Sequence, residues 1–260
     1  MTAALEGRRA LVTGAARRIG EATARRFCEE GARVVLTDVD AEVVEAAAAA
    51  LSDRGHDAVG LPMDVTDEAE VVRVVAQVAD LLGGLDLAVA NAGVLSVSSL
   101  AELSLAEFEH TFRVNVLGVF LTLKHAAPRL RESGGGTLLC TASQAGVHGY
   151  REMSAYCASK FAVVGLVESL AQELAGDGIR VCAVAPGITE TAMYRDLVRG
   201  RAQDWGIEEE AADERIRGTV PFRRAATPDE IAGAFVYLAS PQAAYISGVT
   251  LVLDAAELSG

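Results

Sequence analysis

The sequence predicts an α/β protein, a single domain built on a doubly wound parallel sheet of seven strands with helices on both faces. Three observations carry that expectation. Short apolar runs of buried-strand type alternate with longer segments whose apolar residues recur every three or four positions, as in Val71, Val74, Val75, Val78, Leu81 and Leu82. The residues able to do chemistry gather just after the strands, where open parallel sheets bind ligands. A chain of 260 residues with 51% hydrophobic content also suffices for one sizeable core, and no linker or repeat divides it, so one domain spans 1–260.

Ala10-Leu11-Val12 is the first strand, and it meets Thr13-Gly14 and a turn through Ala15, Ala16, Arg17, Arg18 and Ile19 to Gly20. A helical pattern follows through Ala24, Phe27 and Cys28. Unpaired N–H groups at such a helix start suit a pyrophosphate, although without the Gly-x-Gly-x-x-Gly spacing a plain strand-to-helix turn is also open. Val34 to Thr37 forms the second strand and ends in Asp38, 18 positions after Gly20. A carboxylate there can accept from ribose hydroxyls, or simply begin the turn into the helix Asp40–Ser52.

The third strand, Ala58–Met63, is again closed by an acid, in Asp64-Val65-Thr66-Asp67, with Asp67 or Thr66 capping the next helix. Leu85–Ala90 is the fourth strand and runs into Asn91-Ala92-Gly93, small enough for a flat ring to approach the backbone. One long helical stretch is expected from Ser104 to about Arg131, with Asn115 between Val114 and Val116. Taken alone, Asn115 reads first as a core amide that has found partners. Three glycines, Gly134 to Gly136, lead into the strand Thr137–Thr141, followed by Ser143.

A helix Ala155–Leu174, closed by Gly178, precedes the strand Arg180–Ala185 and the segment Pro186-Gly187-Ile188-Thr189-Glu190-Thr191. Ala192–Val220 is charged and partly helical, and the region 188–221 reads as a substrate lid or as an ordinary solvated helix pair. Pro228-Asp229-Glu230 opens a final helix with the face Ile231, Ala234, Phe235 and Leu238, before the last strand, Val249–Leu253.

Within the helix Ala155–Leu174, Tyr156 and Lys160 are four residues apart, so phenol and ammonium can address one small volume. A fixed cation favours the phenolate of a group whose pKa is otherwise about 10. The plain alternative is a surface pair that never meets. Ser143 stands at a strand end, but the histidines at 56, 110, 125 and 148 lack the setting of a hydrolase base, and no Gly-x-Ser-x-Gly elbow exists. A net charge of −13 argues against nucleic acid as partner. The four cysteines, 28, 140, 157 and 182, lack metal-ligand spacing and suit a reducing compartment. No apolar run reaches the roughly 18–20 residues of a membrane span, and Met1–Gly7 carries no targeting pattern, so a soluble cytoplasmic protein is expected.

Thr13-Gly14 to Gly20, Asn91-Ala92-Gly93, Asn115, Ser143, Tyr156-x-x-x-Lys160 and Pro186-Gly187 come in one order and spacing over nearly the whole chain. In this the chain resembles the short-chain dehydrogenase/reductases, on the side that includes bacterial 3-oxoacyl carrier-protein reductases and NAD-dependent polyol and acetoin dehydrogenases. The resemblance implies a Rossmann-type fold and transfer of the 4-pro-S hydride between NAD(H) and a secondary alcohol or ketone. It implies Tyr156 as general acid/base and Lys160 lowering its pKa while holding the nicotinamide ribose. Ser143 would polarise the carbonyl and Asn115 anchor a water relay. Dinucleotide contacts are expected from Gly14, Arg17, Arg18, Ile19, Gly20 and Asp38, and further along from Asp64, Val65, Asn91, Ala92 and Gly93. Pro186, Gly187, Thr189 and Thr191 complete that set, with Tyr156 and Lys160 at its end. Gln144, Tyr150, Met193 and Trp205 are expected beside Ser143 around the substrate.

Asp38 favours NAD over NADP, whereas Arg17 and Arg18 pull the other way; Asp38 weighs more because a buried strand fixes it. Two departures from the family pattern stand out. Arg18 occupies the middle glycine of Thr-Gly-x-x-x-Gly-x-Gly, as in the pteridine reductase type of turn, and Asp254-Ala255-Ala256 replaces Asp-Gly-Gly. The second change is expected to touch assembly and spare the chemistry. Small or apolar residues on several faces of the Tyr156 helix, among them Ala158, Ala162, Val163, Gly165 and Leu166, predict a homotetramer, or failing that a dimer. A non-catalytic dinucleotide sensor or scaffold on the same fold is the alternative, and it would carry a broken tetrad, whereas all four positions are filled here.

Overall fold

Strands β1 (Arg9–Thr13), β2 (Arg33–Asp38), β3 (Ala58–Pro62), β4 (Leu87–Ala90), β5 (Gly136–Thr141), β6 (Ile179–Pro186) and β7 (Thr250–Leu253) form in a computed structural model that describes residues 3–259. Residues 1, 2 and 260 of the expected domain lie outside the described residues. All neighbours pair in parallel, in the order β3-β2-β1-β4-β5-β6-β7. Central strands of such a sheet are covered on both faces, which is why β4 and, after Arg180, the rest of β6 read as continuous apolar runs.

The helices are α1 (Arg18–Glu29), α2 (Ala41–Ser52), α3 (Glu68–Leu82), α4 (Leu105–Phe112), α5 (Gly118–Glu132), α6 (Ser154–Glu173), α7 (Ala192–Trp205), α8 (Glu209–Arg217) and α9 (Pro228–Ala239). On one face Phe27 of α1, Val44 of α2 and Phe235 of α9 pack against Val12, Leu36 and Val184. On the other, Val74 of α3, Leu130 of α5 and Val163 of α6 pack against Leu11, Val35 and Leu138. Val163 therefore belongs to the core and not to an outward face, because it points from α6 straight at the sheet.

Several boundaries differ from the sequence reading for identifiable reasons. The long helix expected from Ser104 to Arg131 is divided by a π turn, Arg113–Leu117, in which Gly118 N donates to Arg113 O. One extra residue per turn is accommodated there because Asn115 is tied sideways to another segment, described below. Asp67, not Thr66, caps α3, accepting from Ala69 N at 2.9 Å and Glu70 N at 3.1 Å. A 3₁₀ turn, Ala175–Asp177, separates α6 from Gly178, whose φ of 69° ends that turn instead of the helix itself. The stretch after β6 resolves into α7, capped by Thr191, and α8. Among the described residues, no helix is long and apolar enough to cross a membrane.

Candidate active site

β1 pairs with β2 on one side and β4 on the other, so the chain reverses its direction of travel across the sheet at β1. Val12 lies beside both Leu36 and Val89, which brings Gly14, Asp38 and Asn91 to one level at the carboxyl edge. A cleft of about 1190 Å³ opens there and continues past the ends of β5 and β6. That is larger than the roughly 300–1,000 Å³ of sites for drug-sized ligands.

The glycine turn is packed so tightly that its glycines are sterically required. Gly14 has φ of 62°, and a Cβ on it would lie 2.6 Å from Ala92 Cα. A Cβ on Gly20 would run into Gly14 O and sit 2.5 Å from Asn91 Nδ2. Asn91 acts as the clamp: its Nδ2 donates to Thr13 O and Gly14 O, both at 3.0 Å, and its Oδ1 accepts from Thr141 Oγ1 at 2.9 Å. Arg18 adopts φ of 63°, a left-handed conformation that costs a side-chain-bearing residue roughly 1–2 kcal/mol. Its side chain is exposed, and no side chain caps the α1 N-terminus, so the first N–H groups of α1 face the cleft free for an anion.

Asp38 is held at two points, its Oδ2 accepting from Ala16 N at 3.1 Å and its Oδ1 from Asp40 N at 3.2 Å. Arg17, expected to reach into the site, is paired with Asp40 at 2.9 Å. Asp64 accepts from Thr66 N at 2.8 Å and, with Val65, lines the cleft beyond Asp38.

Ser143, Tyr156 and Lys160 meet on the cleft wall where β5 ends. Tyr156 is 8% exposed and Lys160 3%. Lys160 Nζ donates to Thr141 O at 2.8 Å and lies 5.8 Å from the Tyr156 ring centroid. Ser143 Oγ accepts from Ala145 N at 3.1 Å, fixing the short 3₁₀ turn Gln144–Gly146. Burial pushes the Tyr156 phenol above its ordinary value, against a smaller opposing contact with Ser143. Burial also draws Lys160 down to about 8. The Lys160 ammonium is directed at the Thr141 carbonyl, and burial is the dominant influence on the phenol.

Asn115 stands apart from the other sequence-predicted residues: it is fully buried behind the wall while all the rest line the cleft. Its Oδ1 accepts from Val94 N at 2.8 Å, and its Nδ2 donates to Val94 O at 2.9 Å and Ser159 Oγ at 3.0 Å. The side chain is a strut joining the π turn to the segment after β4 and to α6.

At the far end, Gln144, Tyr150, Met193 and Trp205 face the same space as Ser143. Trp205 stacks under Arg215, with 4.2 Å from guanidinium to ring centroid. Arg201 of α7 bonds Glu152 and also approaches Asp204 at 3.4 Å. The walls here are therefore more ionic than the neutral set the sequence suggested. The sequence reading missed Glu257 altogether. It follows Ala255 and Ala256, which adopt φ of 52° and 67° while the Asp254 carboxylate accepts from Ala256 N at 3.0 Å and Leu258 N at 2.9 Å. The Asp-Ala-Ala departure was expected to spare the chemistry, yet the turn it forms brings Glu257 onto the cleft wall.

A family model described as enoyl-(acyl carrier protein) reductase matches residues 14–255. The D-threitol dehydrogenase of Mycolicibacterium smegmatis is 40% identical over 251 residues, covering 96% of this chain and 92% of its own. A solved short-chain type dehydrogenase/reductase from Mycobacterium marinum superposes with a TM-score of 0.90 at 34% identity, over 100% of this chain and 98% of that one. An NAD⁺-bound xylitol dehydrogenase structure gives a TM-score of 0.92 at 32% identity, covering 96% of this chain and 98% of that chain.

Proposed function

Because this chain belongs to the short-chain dehydrogenase/reductase family, we propose that it is an NAD-dependent oxidoreductase interconverting a secondary alcohol and its ketone, with Tyr156 as proton carrier. The observation that carries this reading is the meeting of Ser143, Tyr156 and Lys160, all buried, on one wall of a cleft whose other end is the uncapped start of α1 beside Asp38.

A nicotinamide dinucleotide fits the donors present, since the start of α1 carries no side-chain cap and the Gly14–Gly20 turn lines the cleft. When bound, it supplies the hydride acceptor or donor. The Gly14–Gly20 turn, with Arg17, Arg18 and Ile19, would hold the pyrophosphate, and Asp38 the adenosine ribose. Asp64, Val65, Asn91, Ala92 and Gly93 line the middle, and Pro186, Gly187, Thr189 and Thr191 the nicotinamide end. Lys160 would hold the second ribose. Ser143 donates to the substrate oxygen and orients it toward Tyr156. In reduction the phenol, whose protonated form its burial favours, gives its proton to the nascent alkoxide; in oxidation the phenolate takes the carbinol proton. Asn115 acts through the wall it braces, and a water relay would have to run from its surroundings, not from its already bonded amide.

NAD is preferred in this reading because Asp38 is fixed and Arg17 is engaged by Asp40. Region 188–221 serves as the lid, tethered across the cleft by Arg201 and Glu152. Assembly as a homotetramer, or a dimer, would cover Leu105, Phe108, Phe120 and Phe161, which are exposed along α4, α5 and α6. Four buried free thiols fit a reducing compartment such as the cytoplasm. The test is a panel of secondary alcohols and ketones followed at the nicotinamide absorbance, with Tyr156→Phe alongside. Turnover should fall by roughly 10²–10⁴ in the variant, with dinucleotide affinity nearly unchanged. A variant keeping more than half the wild-type turnover would remove Tyr156 from the chemistry.

A further inference from the structure

We propose that Glu257, together with Gln144 and Tyr150, reads a second hydroxyl next to the reacting carbinol, so that the substrates are vicinal polyhydroxy alcohols. The inference rests on the oxidoreductase reading and narrows it.

Buried polar atoms in folded chains almost always have hydrogen-bond partners, and those without one ask for an explanation. Among the described residues six buried side-chain atoms lack a partner, on Arg8, Thr23, Gln144, Tyr150, Thr250 and Glu257. Gln144, Tyr150 and Glu257 come from three separate segments: the turn after β5, the loop before α6 and the C-terminal turn. All three nevertheless line the cleft that holds Ser143 and Tyr156.

The backbone is shaped to bring them together. Gly187 leaves room for the approach: a Cβ there would lie 2.8 Å from Gln144 Oε1 and 3.0 Å from Asp254 Cα. Ala255 and Ala256 are both left-handed, a conformation alanine avoids, and the Asp254 carboxylate holds them so. Strain concentrated in one turn that delivers one carboxylate to a cleft points to a use for that carboxylate.

The three groups suit a hydroxyl better than the competing ligand groups. A hydroxyl both donates and accepts; Glu257 when ionised and the partnerless Gln144 Oε1 can only accept, while the Tyr150 phenol can donate in return. Burial and the nearby Asp254 push the Glu257 carboxyl above its ordinary range, partly offset by Gln144 and His148. A donated hydroxyl would satisfy it. An acyl chain or fused ring at this point would leave all three polar atoms unpaired, and a substrate carboxylate would meet a like charge.

The experiment measures kcat/KM with NAD for threitol and xylitol against butan-2-ol and cyclohexanol, in wild type, Glu257→Gln, Glu257→Leu and Tyr150→Phe. Wild type should favour the polyols. Glu257→Leu should lose about 10- to 100-fold on the polyols, mainly through KM, and change less than threefold on the single-hydroxyl alcohols. Glu257→Gln, which keeps an accepting oxygen, should lose less. Calorimetric titration of threitol into the NADH-loaded Tyr156→Phe protein should weaken about tenfold when Glu257→Leu is added. Should Glu257→Leu fail to fold, the Tyr150→Phe comparison decides in the same way. Equal losses on both alcohol classes, or none on either, would overturn the second-hydroxyl role while leaving the oxidoreductase reading in place. Absence of wild-type turnover on all four alcohols with NAD and with NADP would overturn both together.

Discussion

Replacing Asp38 with alanine should move the ratio of NADP to NAD specificity constants upward by about two orders of magnitude. The carboxylate sits at the end of β2, bonded to Ala16 N at 3.1 Å and Asp40 N at 3.2 Å, so it cannot swing away from a ligand on the glycine turn. A 2′-phosphate in the ribose position would stand about 5 Å from it. Two unit charges at that distance and an effective dielectric of about 20 repel by about 3 kcal/mol, on the order of a hundredfold. Arg17 offers little compensation in the wild type, because it is already paired with Asp40 in a half-exposed ion pair worth about 0–1 kcal/mol. Adding Asp40→Ala should free that arginine and raise NADP use by up to about fivefold more, an increment that shrinks with added salt. The assay is kcat/KM for each dinucleotide with one alcohol at fixed ionic strength. A wild type that prefers NADP, or an Asp38→Ala ratio within threefold of wild type, refutes the selector role.

Burial draws the Lys160 ammonium down from its ordinary 10.5 to about 8 in the folded chain, so between those pH values the unfolded chain binds the extra proton and stability rises with pH. Compared with Lys160→Met, wild type should therefore gain about 2–3 kcal/mol in denaturant unfolding between pH 7 and pH 10; a constant difference would mean the amine is not desolvated. Gly20→Ala should abolish tight dinucleotide binding and lower the unfolding temperature, while Gly149→Ala, where an added Cβ meets nothing within 4 Å, should do neither. Equal behaviour of the two variants in thermal melts and cofactor titrations would show that the packing of the turn is looser than described. Phe161→Glu puts a charge on a side chain 48% exposed on α6, and light scattering at micromolar concentration should show smaller particles than wild type. A wild type that is already monomeric would count against the assembly.

Strand and helix identities were legible because they depend on local period: Val71 to Leu82 spell one helical face whatever surrounds them. The cleft residues were legible too, since Gly14, Asp38, Asn91, Ser143 and Gly187 all follow strands that the topology lines up at one edge. What escaped depends on partners distant in sequence. The π turn exists because Asn115 bonds Val94, 21 residues earlier, and no helical period announces that. The i, i+4 spacing of Tyr156 and Lys160 indicates proximity, but the upward push on the phenol comes from burial against Leu95, Ala145 and Tyr150, which spacing does not reveal. Arg17 looked available until Asp40 proved to lie within reach. Glu257 was hidden by its own neighbours, because two alanines give no hint of left-handed backbone.

The strand order has a consequence for how the chain is made. β1 is flanked by β2, which follows it closely, and by β4, which begins only at Leu87. While residues 39 to 86 leave the ribosome, roughly 2–10 s at about 5–20 residues per second, one hydrogen-bonding edge of an apolar strand has no partner. That edge, bearing Leu11 and Val12, ends up wholly buried. From β4 onward each new strand adds to the outer side of the one before, so the exposed edge moves outward until β7 closes the series. The newborn first half, with its middle strand open, is where this protein is most exposed to pairing with the wrong chain.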